Sequence, residues 1–152
     1  LLDKEKAKLI VDKVYDKLYT PFGLRSLSPD DKNYKPIYAV NQYSRDAAYH
    51  QGTVWAFLLG AFADAIEYAY PEEKQERIKK IIEKFIPHLS TAGIGTISEI
   101  FDGDYPHNPK GCISQAWSAA EFLRIYKKYN VKISDIEWDG NSIYLQSKKR
   151  VG

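Results

Sequence analysis

The sequence predicts an all-α fold, and two observations carry that expectation. Four helical patterns alternate between amphipathic and almost wholly apolar. The connections alternate too, with one very short turn between two long, aromatic, Pro/Gly-punctuated segments. A helix that is apolar nearly all round must be buried on most sides, whereas a single apolar stripe marks a helix with one solvated face. Amphipathic helices wrapping apolar ones make a double layer. Four helices cannot fully surround two buried ones, so the expectation is the C-terminal part of a toroid of paired helices. A closed four-helix bundle, the alternative, would show four similar stripes.

The first helix is expected from about Asp3 to Tyr19, where Ala7, Ile10, Val11, Val14 and Leu18 recur at three and four residues. Thr20-Pro21 ends it, because a residue before proline is pushed out of the helical region. The second is expected from about Thr53 to Tyr68. Val54, Trp55, Phe57, Leu58, Leu59, Phe62 and Ile66 leave it almost no polar face. The third spans about Pro71 to Leu89, with Ile78, Ile81, Ile82, Phe85, Ile86 and Leu89 on one stripe. Pro71 suits its first turn, where a missing N–H costs nothing. The fourth spans about Ile113 to Tyr129 and is again mostly apolar, from Ile113 and Trp117 to Phe122, Leu123 and Ile125. Residues 1–130 form this helical unit. Residues 131–152 form a tail, in which Ile136-Glu137-Trp138, Asp139-Gly140 and Ser142-Ile143-Tyr144-Leu145 read as a short β-hairpin.

The long connections run from about Thr20 to Gly52 and from about Ser90 to Cys112. Long connections in compact domains are usually functional or disordered, and their aromatic content disfavours disorder. In an alternating array both emerge at one end, beside the N-termini of the apolar helices, where partial positive charge favours carboxylates.

Composition narrows the function. At 152 residues with 44% hydrophobic and 28% charged side chains, the chain suits one soluble domain-sized core. A net charge of +2 recommends neither a nucleic-acid partner nor an anionic membrane. The longest apolar run, Val54 to Ala63, is too short to span a bilayer. Cys112 is the only cysteine, which rules out an intrachain disulfide and is compatible with a reducing, cytoplasmic compartment. The chain opens on Leu1-Leu2, contains no Met, and enters a helix pattern at once, as a piece of a longer polypeptide would. No His/Cys/carboxylate group has metal-ligand spacing, and no cofactor is expected. Aromatics make up 14%, with 12 Tyr and 3 Trp, and sugar-binding clefts use such flat faces with polar tips.

The densest chemistry lies in Ile97-Ser98-Glu99-Ile100-Phe101-Asp102-Gly103-Asp104-Tyr105-Pro106-His107. Polar density on a connection between helices marks a site more often than a spacer. Glu99 at the rim of an aromatic pocket can take a proton from water; it can equally cap a helix or pair with a cation. Tyr49 and His50 can bind sugar hydroxyls, or cap and pack. Arg25 can grip a hydroxyl or carboxylate through its planar fork, or pair with an acid of the other long loop such as Asp102. Trp55 can floor a sugar subsite, whereas Trp117 is expected in the core. His107 is read as a loop hydrogen-bonder. Cys112 is expected as a small buried residue. Asp102-Gly103-Asp104 is too short for an EF-hand loop and lacks its later glutamate.

Four blocks together resemble the amylo-alpha-1,6-glucosidase part of the glycogen debranching enzyme family. They are Thr20-Pro21-Phe22-Gly23-Leu24-Arg25-Ser26-Leu27, Tyr49-His50-Gln51-Gly52-Thr53-Val54-Trp55, Glu99-Ile100-Phe101-Asp102-Gly103-Asp104 and Gly111-Cys112-Ile113-Ser114-Gln115-Ala116-Trp117-Ser118-Ala119-Ala120-Glu121. The resemblance covers roughly Tyr19 to Arg124. It implies an (alpha/alpha)6 barrel, of which the chain supplies about the last third. It implies hydrolysis of alpha-1,6-linked glucosyl stubs of glycogen or limit dextrin, with inversion at the anomeric carbon. It places the general base at Glu99, with Arg25, Tyr49, His50, Trp55 and Asp102 lining or bracing the glucose subsite. The general acid would come from an upstream part of the polypeptide. The implied partners are alpha-glucan and that upstream part. Glucoamylase-like and trehalase-like toroids, and a non-catalytic carbohydrate-binding module, are the other readings.

Overall fold

In a computed structural model, which describes residues 2–131, five α-helices accompany a five-stranded antiparallel sheet. The all-α expectation, with its alternation of outer and buried helices closing part of a barrel, is therefore corrected to a mixed α and β fold. The candidate hairpin at 136–145 lies outside the described residues.

The amphipathic stripes become helices as the periodicity predicts. Helix α1 spans Lys4–Lys17, and the Asp3 carboxylate caps it by accepting the Lys6 amide at 2.9 Å. Ala7 and Val11 are buried, while Ile10 at the stripe's edge faces solvent. Helix α4 spans Lys74–Phe85 and tightens into a 3-10 turn at Ile86–Ser90. Ile78, Ile81, Ile82 and Phe85 are all buried. Each such side chain contributes about 1.5–3 kcal/mol when removed from water.

The apolar second pattern divides in two. Helix α3 begins only at Leu58 and runs to Ala69. The residues ahead of it, Val54–Trp55, form strand β3. Strands β1 (Tyr19–Thr20) and β2 (Gly23–Arg25) come from the first long connection. Strands β4 (Ile100–Phe101) and β5 (Pro109–Lys110) come from the second. The sheet order β1-β2-β3-β4-β5 places β3 between the two connections. Leu24 pairs with Trp55 and Arg25 with Val54 on one side; Phe101 pairs with Val54 and Ile100 with Trp55 on the other. β-Branched and aromatic side chains suit such a central strand, and its neighbours satisfy backbone groups on both edges, which outweighs extending the helix by one turn. The two long connections do meet, joined by a sheet.

Helix α3 is the hub. It packs on α1, on α4 and on α5 (Ala116–Lys128), and touches β2. Leu59, Phe62, Ala63, Ile66 and Ala69 turn into the common core with Phe85, Phe122 and Ile125. Helix α5 departs from the expectation of an inner helix. Ser118, Phe122 and Ile125 are buried, but Ile113 just ahead of it is 57% exposed, Trp117 48% and Leu123 52%. Its apolar residues thus cover more than one face, and within the described residues only one face has a partner. A fifth helix, α2 (Gln42–Ala48), forms inside the first long connection, capped by Asn41 accepting the Ser44 amide at 2.9 Å.

Candidate functional site

Glu99 stands one residue before β4, half-buried, with each carboxylate oxygen engaged. The Tyr49 hydroxyl donates to Oε1. The Cys112 amide donates to Oε2 at 2.8 Å, and the Glu99 amide returns a bond to the Cys112 carbonyl at 2.9 Å. Gly111 makes this approach feasible. Its φ of +68° is left-handed, and a Cβ there would lie 2.6 Å from Glu99 Oε2. Two fixed donors define where the carboxylate sits and leave its remaining lone pairs free to accept from water.

Tyr49 is delivered by α2, whose last turn it closes through its amide to the Arg45 carbonyl. Its own carbonyl accepts the Thr53 hydroxyl at 2.5 Å and the Trp55 indole N–H at 3.2 Å. Burial foremost, then the Glu99 hydrogen bond and charge, push the Tyr49 phenol up to about 12. It therefore remains a donor to the carboxylate throughout the neutral range.

An aromatic surface extends from this pair. The His50 ring lies nearly parallel to Trp55, with centroids 5.3 Å apart and planes at 7°. Tyr49 meets both rings edge-on. Phe57 and Trp117 stack on each other at 4.4 Å, and each meets Trp55 edge-on. Ser26, His50, Trp55, Phe57, Leu58 and Trp117 line a shallow cleft of about 180 Å³. Trp117, expected in the core, is at this cleft with half its surface open. Cys112, expected to be buried, is exposed, with its thiol against the Ser114 carbonyl at 3.3 Å.

Arg25 and Asp102 do not meet. Arg25 Nε donates to the Gly103 carbonyl at 2.8 Å, and its Nη1 reaches the Lys17 and Tyr19 carbonyls at 3.4 Å. Asp102 is 2% exposed and accepts the Tyr38 amide at 2.8 Å, with Lys110 Nζ 3.8 Å from its other oxygen. The Gly103 amide donates to the Pro36 carbonyl at 2.6 Å, and a Cβ there would run into the Gly52 carbonyl. Tyr34 donates to Asp104 at 2.9 Å. Arg25 and Asp102 thus brace the loops, while Tyr49 and His50 flank Glu99 and Trp55, expected as an open sugar floor, is 5% exposed and backs their rings. His107 is buried, with Nδ1 3.0 Å from the Asp102 carbonyl.

Two residues emerge only in three dimensions. Tyr38, held by Asp102, brings its ring to 5.7 Å from Tyr49. His88, 1% exposed, accepts the Ser98 amide at Nε2 (3.0 Å), directly before Glu99. That acceptor places the proton on Nδ1, which donates to Thr91 Oγ1 at 2.9 Å, and the Thr91 hydroxyl donates on to the His88 carbonyl. Burial among Phe22, Phe85 and Phe101 pushes the imidazole down to about 4. No sequence signal marks either role. Among the described residues no cluster of His, Cys, Asp and Glu is placed to hold a metal, and no helix is long and apolar enough to cross a membrane.

Comparison with known proteins points the same way as the block resemblance. The sequence model of the amylo-alpha-1,6-glucosidase family matches residues 1–124. A glycogen debranching enzyme of Saccharomyces cerevisiae is 41% identical over 69 residues, covering 41% of this chain and 4% of that enzyme. The chain therefore spans a small part of the curated relative it matches.

Proposed function

The chain belongs to the amylo-alpha-1,6-glucosidase family, and from that premise we propose that it supplies the general-base side of an active site in a longer debranching enzyme. The reaction is hydrolysis of single alpha-1,6-linked glucosyl stubs on glycogen or limit dextrin, releasing glucose. The observation that carries this reading is the Glu99 carboxylate, fixed at both oxygens beside an aromatic wall.

Inverting glycoside hydrolysis uses two carboxyl groups about 6.5–9.5 Å apart, one on each side of the scissile bond. Glu99 takes a proton from water as the water oxygen adds to the anomeric carbon. The bond from that carbon to the bridging oxygen breaks, and a second carboxyl group protonates the departing oxygen. Glucose then leaves first as the β-anomer. Asp102 is not that second group, because it is buried and committed to the Tyr38 amide. Asp104 is engaged with Tyr34 at the exposed end of the block. The family resemblance implies that the acid comes from an upstream part of the polypeptide.

Tyr49 sets the base in place rather than sharing its proton, since its phenol stays protonated at neutral pH. His50 and Tyr49 give the glucosyl unit apolar faces with polar edges, and the buried Trp55 supports both rings from behind. The test uses the full-length polypeptide on limit dextrin bearing single-glucose stubs, with the released anomer followed by NMR. Initial β-glucose, and a Glu99→Gln variant slowed on the order of 10²–10⁴-fold, is the expected result. Normal hydrolysis by Glu99→Gln would refute the base assignment. No glucose from either enzyme would favour a carbohydrate-binding module.

A further inference from the structure

We propose that Trp117, stacked on Phe57, is a specificity-determining platform for the alpha-1,4-linked glucan chain that carries the stub. This rests on the glucosidase reading above. The substrate has one sugar on the stub side of the scissile bond. Sugar-binding surface beyond the unit at Glu99 must therefore hold the chain on the other side. Such a surface exists. Its open rings are His50, Phe57 and Trp117, backed by Trp55, which is only 5% exposed, has the His50 ring stacked on it and gives its indole N–H to the Tyr49 carbonyl.

The chemistry of the cleft suits a glucan. Four of its six lining residues are aromatic, and Ser26 adds a hydroxyl at the edge. Flat indole and phenyl faces cover the axial C–H surface of a pyranose while leaving its equatorial hydroxyls in water. Trp117 is only half covered, by Phe57 and the edge of Trp55. The buried face of α5 is made by Ser118, Phe122 and Ile125, and Trp117 keeps 48% of its surface open although Phe57 lies 4.4 Å from it. It also stands at the first turn of α5, as Phe57 stands at the start of α3, so both rings come from the helix ends nearest the sheet that carries Glu99.

The experiment compares two substrates in the full-length polypeptide. One is a branched maltooligosaccharide bearing a single alpha-1,6-glucosyl stub. The other is alpha-glucosyl fluoride, which presents the same glucosyl unit with no chain. Trp117→Ala is expected to lower the ratio of their kcat/KM values about tenfold, the size of one lost aromatic stacking contact. Trp117→Phe should restore most of it. An unchanged ratio, whether both substrates lose equally or neither does, would overturn the proposal. A purely structural tryptophan moves both together. Maltotetraose binding, read from tryptophan fluorescence, separates this inference from the base assignment, because it needs no turnover. Weakening of about tenfold in Trp117→Ala supports the platform even if Glu99→Gln proves fully active; unchanged binding refutes it.

Discussion

Gly111→Ala tests the geometry around Glu99 with one added carbon. Two costs are separable. The first is backbone strain: Gly111 has φ +68°, and an L-residue in the left-handed region costs roughly 1–2 kcal/mol. For a domain of this size that lowers the melting temperature by about 2–8 °C. The second is local. The new Cβ would lie 2.6 Å from Glu99 Oε2, 3.1 Å from its Cβ and 3.2 Å from its Cδ. The side chain can escape only by giving up the Cys112 amide or the Tyr49 hydroxyl. Displacing a reacting group by about 1 Å costs on the order of a hundredfold in rate. Gly95→Ala supplies the control, since Gly95 has φ +71° and nothing within 4 Å of its added Cβ. Both variants should lose similar stability in thermal unfolding of the full-length enzyme. Only Gly111→Ala should lose about a hundredfold in stub hydrolysis. Equal activity in the two variants would show that the carboxylate is not held as described, or does no chemistry.

Further outcomes follow from groups around the site. His88 is held neutral by burial, with its imidazole near 4 against an ordinary 6.5. The unfolded chain therefore binds this proton first, so stability falls as pH drops from about 6.5 to about 4, by up to about 3 kcal/mol. Urea unfolding at pH 7 and pH 4 should show that slope, and His88→Gln, which can still offer an acceptor to Ser98, should flatten it; parallel curves would contradict the assignment. Glu67 titrates in a separate window: Lys128, Lys74 and Tyr129 hold it near 2, so its contribution is lost only below about pH 4.5. Asp102→Ala leaves the Tyr38 amide unpaired and should cost about 1–3 kcal/mol, with sharply increased proteolysis between Ser26 and Val40; unchanged cleavage would mean the loop is anchored elsewhere. The 152-residue chain alone should release no glucose from stubbed dextrin, because the proposed acid lies outside it; turnover by the purified chain would show otherwise.

The sequence made α1 and α4 legible because each has one stripe at helical spacing and a charged opposite face. Strand β3 was hidden, since two residues cannot display a period of two and Val54-Trp55 merges into the apolar run of α3. Helix α2 was hidden for the opposite reason: Gln42–Ala48 is mostly polar and reads as loop, although Asn41 is a good cap. Apolar content overstated the burial of α5, because composition cannot tell which partner covers a face. At the site, single residues were nameable from blocks, but their pairings were not. Tyr49 and Glu99 are 50 positions apart, and nothing in either block specifies that one donates to the other.

The block from Glu99 to Asp104 divides its labour along its length, and the sheet explains why. Glu99 precedes β4 and faces the aromatic wall, held by Tyr49 and Cys112. Ile100 and Phe101 pair with Trp55 and Val54 and are fully buried, which fixes the strand. Past the strand, Asp102, Gly103 and Asp104 clamp the first long connection through Tyr38, Pro36, Arg25 and Tyr34. That connection carries α2, and α2 carries Tyr49 back to Glu99. The acidic residues at the end of the block therefore act on the carboxylate at its start through a closed ring of side-chain and backbone contacts. Loosening the clamp at Asp102 should shift Tyr49 before it shifts Glu99, because the Cys112 amide still holds the carboxylate. In such a variant the rate of stub hydrolysis should fall while the pairing of β3 with β4, followed by amide exchange at Val54 and Phe101, stays protected; loss of that protection would place the defect in the sheet instead.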